Sequence, residues 1–262
     1  MPADPAPLVR QAFPRAQIAL PMLAPGVPRA AIALGSPALD AALGGGLARG
    51  ALHEVYAANE ADVASATGFA AALARSAAGA RPILWVRQDA LDGLTGRLYA
   101  PGLAEIGIDP NQVLLVRAPD VQALLRAGAE GSRCAALGAV LIEPWGQSKL
   151  IDLTASRRLH LAARASGTPV LLLRVSAAPA PSAAATRWQI AAAPSHALSG
   201  DAPGLPAFAA TLLRQRGGAG GTDWTLEWNR DHVRFDQRAT PLSGGLVPVS
   251  LDRSADIDRR AA

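Results

Sequence analysis

Four short apolar runs punctuate the middle of the chain: PILWVR (Pro82–Arg87), QVLLVR (Gln112–Arg117), GAVLIE (Gly138–Glu143) and VLLLRV (Val170–Val175). Each is nearly continuous rather than alternating, the pattern of a strand covered on both faces. ALHEVY (Ala51–Tyr56) reads as a further strand upstream. The stretches between have helical spacing. Residues 60–78 put Val63, Ala66, Ala70, Leu73 and Ala77 on one face and stop at Gly79. Val121–Glu130 is helical, and so is Asp152–Gly167, with Pro169 just beyond its end. Buried strands alternating with helices predict an α/β fold, a mainly parallel sheet with helices on both faces.

After Val175 the pattern changes. Ser176–Ala185 is a low-complexity loop of alanine and proline, Thr186–Pro194 reads as a strand, and the following SHALSGDAPGLP is turn-rich. Asp223–Phe235 alternates, with Trp224, Leu226 and Trp228 on one face and Val233 and Phe235 after a turn. That predicts antiparallel strands at the C-terminal edge of the sheet. Near the start, Pro37–Leu43 reads as a short helix with Ser36 as its N-cap and Pro37 in its first turn. The expected organisation is a proline-rich arm over 1–30 with a short helix near Leu8–Phe13, a core domain over 31–235, and a tail over 236–262.

Composition narrows the class. Half the residues are apolar, enough for a sizeable core, and no run approaches the length of a membrane span. The N-terminus lacks the apolar stretch of a secretory signal. A single cysteine, Cys134, excludes an internal disulfide framework and reads as a buried small residue rather than a nucleophile. A cytoplasmic protein is expected. Net charge is +4, and of the 25 basic residues only Lys149 is a lysine. That balance permits nucleic-acid contact without demanding it. His53, His160, His196 and His232 are scattered, so no metal-ligand spacing arises.

GSPALDAALGGGLARGALHEVY (Gly35–Tyr56) resembles the segment that leads into the phosphate loop of RecA-like recombinases. GAVLIEP lies where that fold keeps its Walker B strand. LWVR, RLYAPGLAEIGID, LTASRRLHLAARASG, LLRQRGGAGG and WTLEWN are similar to the ImuA family, RecA-like accessory proteins of bacterial mutagenesis cassettes. The resemblance runs from about Ala31 to Phe235. It implies a RecA-like, P-loop-NTPase-type core. It also implies an adaptor role in an SOS-type response, with ImuB, an error-prone polymerase and RecA as partners.

That resemblance exposes an omission. A phosphate loop uses glycines to turn backbone N–H groups toward the phosphates, a lysine to reach them and a hydroxyl to bind Mg²⁺. Here Tyr56 is followed by Ala57, Ala58, Asn59, Glu60, Ala61 and Asp62. Glycines are replaced, no lysine is present, and the two carboxylates Glu60 and Asp62 oppose a polyphosphate. Lys149 has no glycine loop before it. Glu143 takes the approximate Walker B place, where a carboxylate has little to coordinate without phosphates. The phosphate loop is degenerate, and the expectation is a non-catalytic scaffold with no cofactor, no metal and no catalytic residue. The alternatives are a RecA-like ATPase with an atypical loop and a SulA-like cell-division inhibitor. SulA-like proteins are much shorter.

The remaining candidates have two readings each. Arg157, Arg158 and Arg164 share a predicted helix with His160, and Arg157 and Arg164 share a face while Arg158 points elsewhere. They suit DNA phosphates or an acidic partner, but a solvated helix face is the favoured reading. Arg214 and Arg216 sit in RQRGGAGG, read as a basic connecting loop. Ser176–Ala185, where RecA places a mobile DNA-binding loop, carries no charge, so weak or indirect DNA contact is expected. Trp224 and Trp228 suit base stacking or, as their alternation favours, the packed face of a hairpin. GGGLARG precedes a strand instead of following one, so it is a turn and not a dinucleotide fingerprint.

Overall fold

The computed structural model describes residues 30–238. The expected N-terminal helix and nearly all of the expected tail fall outside the described residues. The described chain forms one nine-stranded sheet. Its strands are β1 (Leu52–Ala57), β2 (Ile83–Gln88), β3 (Val113–Ala118), β4 (Ala139–Glu143), β5 (Val170–Arg174), β6 (Thr186–Ala192), β7 (Ala207–Gln215), β8 (Thr222–Asn229) and β9 (Arg234–Gln237). The order is β3-β2-β4-β5-β1-β6-β7-β8-β9. From β3 to β6 every pairing is parallel, and from β6 to β9 every pairing is antiparallel.

The continuous apolar runs are explained by the two layers around the sheet. The long helices are α2 (Val63–Ala78), α5 (Val121–Ser132) and α6 (Leu153–Ser166), with shorter α1 (Pro37–Ala42), α3 (Leu91–Leu94) and α4 (Ala100–Glu105). Successive strand residues go to opposite faces. Trp85, Leu141, Leu171 and Leu173 join α2 in one core, and Leu84, Val86, Val140, Ile142 and Leu172 join α5 and α6 in the other. The antiparallel extension adds Trp188, Phe208, Trp224, Trp228 and Phe235 to the α2 side. Phe69 of α2 lies 5.2–5.7 Å, centroid to centroid, from Trp188, Phe208 and Phe235. The alternating tryptophans therefore pack inward, and the Trp228 indole N–H donates to the Ile106 carbonyl at 2.8 Å.

Several expectations are corrected. β3 is not covered on both faces: it is an edge strand whose Leu114, Leu115 and Val116 are 49%, 47% and 37% exposed. An apolar run does not reveal whether a strand lies at the centre or the rim. β7 is a strand that the pattern does not single out, because alanines on both of its faces blur the alternation. β9 runs to Gln237. Ser36 occupies the N-cap position of α1, but its buried hydroxyl has no partner. The Asp40 carboxylate instead reaches back to the N–H groups of Leu34 and Gly35. Cys134 is exposed. The glycine cluster is the expected turn. Gly46, at φ +120, passes so close to Ile32 that a Cβ would sit 2.3 Å from its carbonyl oxygen.

His53, at the start of β1, ties this turn to the sheet. Its fully buried ring bonds the Ala48 carbonyl at 2.9 Å and the Thr186 hydroxyl at 2.8 Å. Burial lowers its pKa to about 4, against the Ala48 bond. The folded chain thus resists a proton that the unfolded chain accepts. Stability is present above the ordinary histidine value and is lost as pH falls from about 6.5 to about 4. The loss attributable to this ring is about 3 kcal/mol. Denaturant melts across that window should show the wild type losing more than a His53→Gln variant by about this amount. Parallel profiles would contradict the assignment.

Candidate functional site

The C-terminal ends of the parallel strands form one rim, the place where α/β sheets gather their chemistry. At the end of β1 the chain does not loop outward. The Ala58 N–H donates to the Ile190 carbonyl at 2.8 Å, lengthening the pairing with β6. Asn59 then closes an Asx turn: its Oδ1 accepts from the Ala61 N–H at 2.8 Å and its carbonyl from the Asp62 N–H at 3.1 Å. The result is a single 3-10 turn over Glu60–Asp62 that leads directly into α2. Asp62 is buried, accepting from the Asn59 amide and, at 2.8 Å, from the Ala192 N–H of β6. Glu60 is exposed and accepts from the Ser176 hydroxyl at 3.2 Å. The N–H groups of Ala58, Ala61 and Asp62 are thus consumed by internal acceptors.

Glu143 ends β4 on the α2 side of the sheet. Strand register sets it beside Arg87 of β2. Its Oε2 accepts from Trp85 Nε1 at 2.9 Å and from Arg87 Nε at 3.0 Å. Burial pushes its carboxyl above the ordinary value, and Arg87 and Trp85 pull it back. The Arg87 guanidinium spends its other donors on Asp92 (2.8 Å), the Gly96 carbonyl (2.7 Å) and the Thr95 hydroxyl (2.7 Å). It thereby clamps α3 and its following turn to the end of β2. Among the described residues no group of three or more His, Cys, Asp or Glu side chains is placed to hold a metal ion.

The opposite face of the rim is different. Tyr56, Arg174 and Glu54 point toward the α6 side. The Tyr56 ring has the Arg174 guanidinium 5.6 Å and the Arg187 guanidinium 5.9 Å from its centroid. Buried Glu54 accepts from Arg187 at 2.9 Å and from Ser182 at 2.8 Å. Arg174 is 2% exposed, and its Nε and Nη2 have no partner among the described residues. The Pro179–Ser182 strap lies over this cluster, and Arg187 also donates to its Ala180 carbonyl.

Beside the strap runs an open groove lined by Arg157, His160 and Arg164 from α6 and by Arg214 and Arg216 from the end of β7. A register shift between Arg187 and Trp188 sets Arg214 opposite Arg187, on the α6 side. Arg214 donates to the Ser182 carbonyl at 3.1 Å and Arg216 to the Ala183 carbonyl at 3.0 Å. Burial, followed by Arg216 and Arg164, lowers the His160 pKa, which favours the uncharged ring.

The arrangement can now be set beside known proteins. No protein-family model matches the sequence, and no curated protein matches it. Among solved structures the chain is similar to the RadB recombinase, at 14% identity and a TM-score of 0.51. The match covers 76% of this chain and 96% of that one. The fold is RecA-like. The Asn59 turn follows β1, and Glu143 ends β4.

The structure gathers four of the five arginines picked out by sequence. Arg157, Arg164, Arg214 and Arg216 share one groove, and Arg158, one residue off the face, does not line it. Arg214 belongs to β7, which corrects its reading as part of a connecting loop, while Arg216 lies in the turn to β8 as expected, its N–H donating to the Ala185 carbonyl. Sequence reasoning missed Arg87, Arg174, Tyr56 and Glu54. The available signal was a charge closing an apolar run, as in LWVR, VLIE and LLLR. Removing the Glu143 charge should expose its structural role. Glu143→Gln should cost about 2 kcal/mol in urea unfolding, because it takes a buried partner from Arg87. Unchanged stability would mean that the carboxylate is free for a ligand.

Proposed function

We propose that the chain is a nucleotide-independent, RecA-like adaptor of mutagenic DNA repair. The observation that carries this reading is the Asn59 turn. A nucleotide site needs outward N–H groups and a cation, whereas here the N–H groups of Ala58, Ala61 and Asp62 are bonded internally. Two carboxylates flank them, and Asp62 is anchored to β6. Rebuilding a phosphate cradle would mean breaking these bonds and burying like charges together.

A RecA-like frame without nucleotide retains its surfaces for protein contact. The resemblance to the ImuA family gives those surfaces a setting: a cytoplasmic chain that docks ImuB and an error-prone polymerase and contacts RecA during an SOS-type response. Glu143, tied to Arg87 and Trp85, fits a scaffold better than a Mg²⁺ ligand. No residue is assigned a catalytic role.

Titrating ATP with Mg²⁺ into the purified chain by calorimetry tests this reading. No heat of binding is expected at millimolar ATP. Micromolar binding would overturn the adaptor reading and install the ATPase alternative, with Glu143 as its first candidate residue.

A further inference from the structure

The groove beside the strap is a concentrated, unpaired positive surface. Arg157, Arg164, Arg214 and Arg216 line it, and among the described residues none of them forms an ion pair. No carboxylate lines it or the adjoining hollow over Arg187. The neighbouring Arg187 is neutralised by Glu54. Beneath the strap, Arg174 adds a buried guanidinium with no carboxylate of its own. Four unpaired guanidiniums therefore line one groove on this flank.

The groove is also partly apolar. Leu153 and Leu161 line it and are 37% and 61% exposed. On α6 the sequence Leu153, Arg157, His160, Leu161, Arg164 falls at i, i+4, i+7, i+8 and i+11, one continuous helical stripe. Among the described residues no Phe, Tyr or Trp lines the groove, and its one ring, His160, is half-buried with Nδ1 accepting from the Leu52 N–H, which makes it a poor platform for a base. Leucine and arginine interleaved on one stripe match a chain that carries both carboxylates and aliphatic side chains.

We propose that this groove docks an acidic, leucine-bearing peptide segment of a partner protein. The carboxylates meet the forks of Arg157, Arg164, Arg214 and Arg216, and the aliphatic side chains cover Leu153 and Leu161. The chain's own last segment is a poorer match. In SLDRSADIDRRAA three aspartates are offset by three arginines. The proposal rests on the adaptor reading only for its choice of a protein occupant.

The test uses the full chain and a short fluorescein-labelled peptide of glutamate, aspartate and leucine, read by anisotropy. Comparison probes are the same peptide with serine for leucine, and a labelled oligothymidylate. The leucine-bearing peptide is expected to bind more tightly than either. The double variant Arg157→Glu with Arg164→Glu should weaken it at least about tenfold, since like charges at a contact are strongly disfavoured. Leu161→Ser should weaken it about threefold or more. Both sites are exposed, so thermal melts should match the wild type and exclude misfolding. No binding, binding indifferent to the charge reversal, or serine peptide binding as well as leucine peptide would overturn the proposal. So would oligothymidylate binding more tightly and tolerating Leu161→Ser, which assigns the groove to nucleic acid. Nucleotide plays no part in these measurements. A chain that takes both ATP and the peptide sinks only the adaptor reading, and one that takes neither sinks only this inference.

Discussion

A charged group at the end of a buried strand has to be satisfied from within, because water cannot reach it and an isolated buried charge costs several kcal/mol. That constraint organises the whole rim of this sheet. Arg87 and Glu143 close two neighbouring apolar strands, and register makes them partners. Their pairing fixes α3 and its turn through Asp92, Thr95 and Gly96. Glu54 and Arg187 do the same across β1 and β6, and their pairing holds down the Pro179–Ser182 strap. Asp62 joins the end of β6 to the entrance of α2.

The same pairings shape what the rim can bind. A nucleotide site is built from groups left unsatisfied until the ligand arrives: outward N–H donors, a free cation, a free carboxylate. On the α2 side those groups are already paired. Asn59 takes the backbone donors, and Arg87 and Trp85 take the carboxylate. The RecA-like frame survives because its stability comes from the two apolar layers around the sheet, which a phosphate loop does not contribute to. The fold and the chemistry of the turn after β1 are physically independent.

Much of this fold was legible in the sequence, for identifiable reasons. Continuous apolar runs announced strands with two covered faces, and β2, β4 and β5 have them. Asp152 and Gly167 marked the ends of α6, as an N-cap accepting from Ala155 and a left-handed C-cap. Alternation at Trp224, Leu226 and Trp228 gave the antiparallel edge. What failed depended on neighbours that are distant along the chain. The run in β3 reads like those of β2 and β4, but it lies at the rim. Phe208, Ala210 and Leu212 of β7 face the core, yet Ala207 and Ala209 on the other face hide the period. The candidate site divided in the same way. The run from Ala57 to Asp62, with no glycine or lysine, is a local feature and could be read directly. The Arg87–Glu143 pair depends on strand order, which spacing does not encode.

The arginine groove shows how that dependence gathers charged side chains as well as concealing them. Residues 157 and 164 are brought to one face by helical period alone. Arg214 reaches them only because β7 runs antiparallel to β6 and a register shift beside Arg187 turns its side chain to the α6 face. The strap carbonyls of Ser182 and Ala183 then hold Arg214 and Arg216 without neutralising them, since a carbonyl accepts a hydrogen bond but carries no net charge. The internal bonding thus positions the guanidiniums while leaving their charge uncompensated. On the α2 side the carboxylates went to Arg87, and on the α6 side Glu54 went to Arg187. The charge that remains in the groove is positive, held in place and beside exposed leucine, which is the observation behind the acidic partner proposed for it.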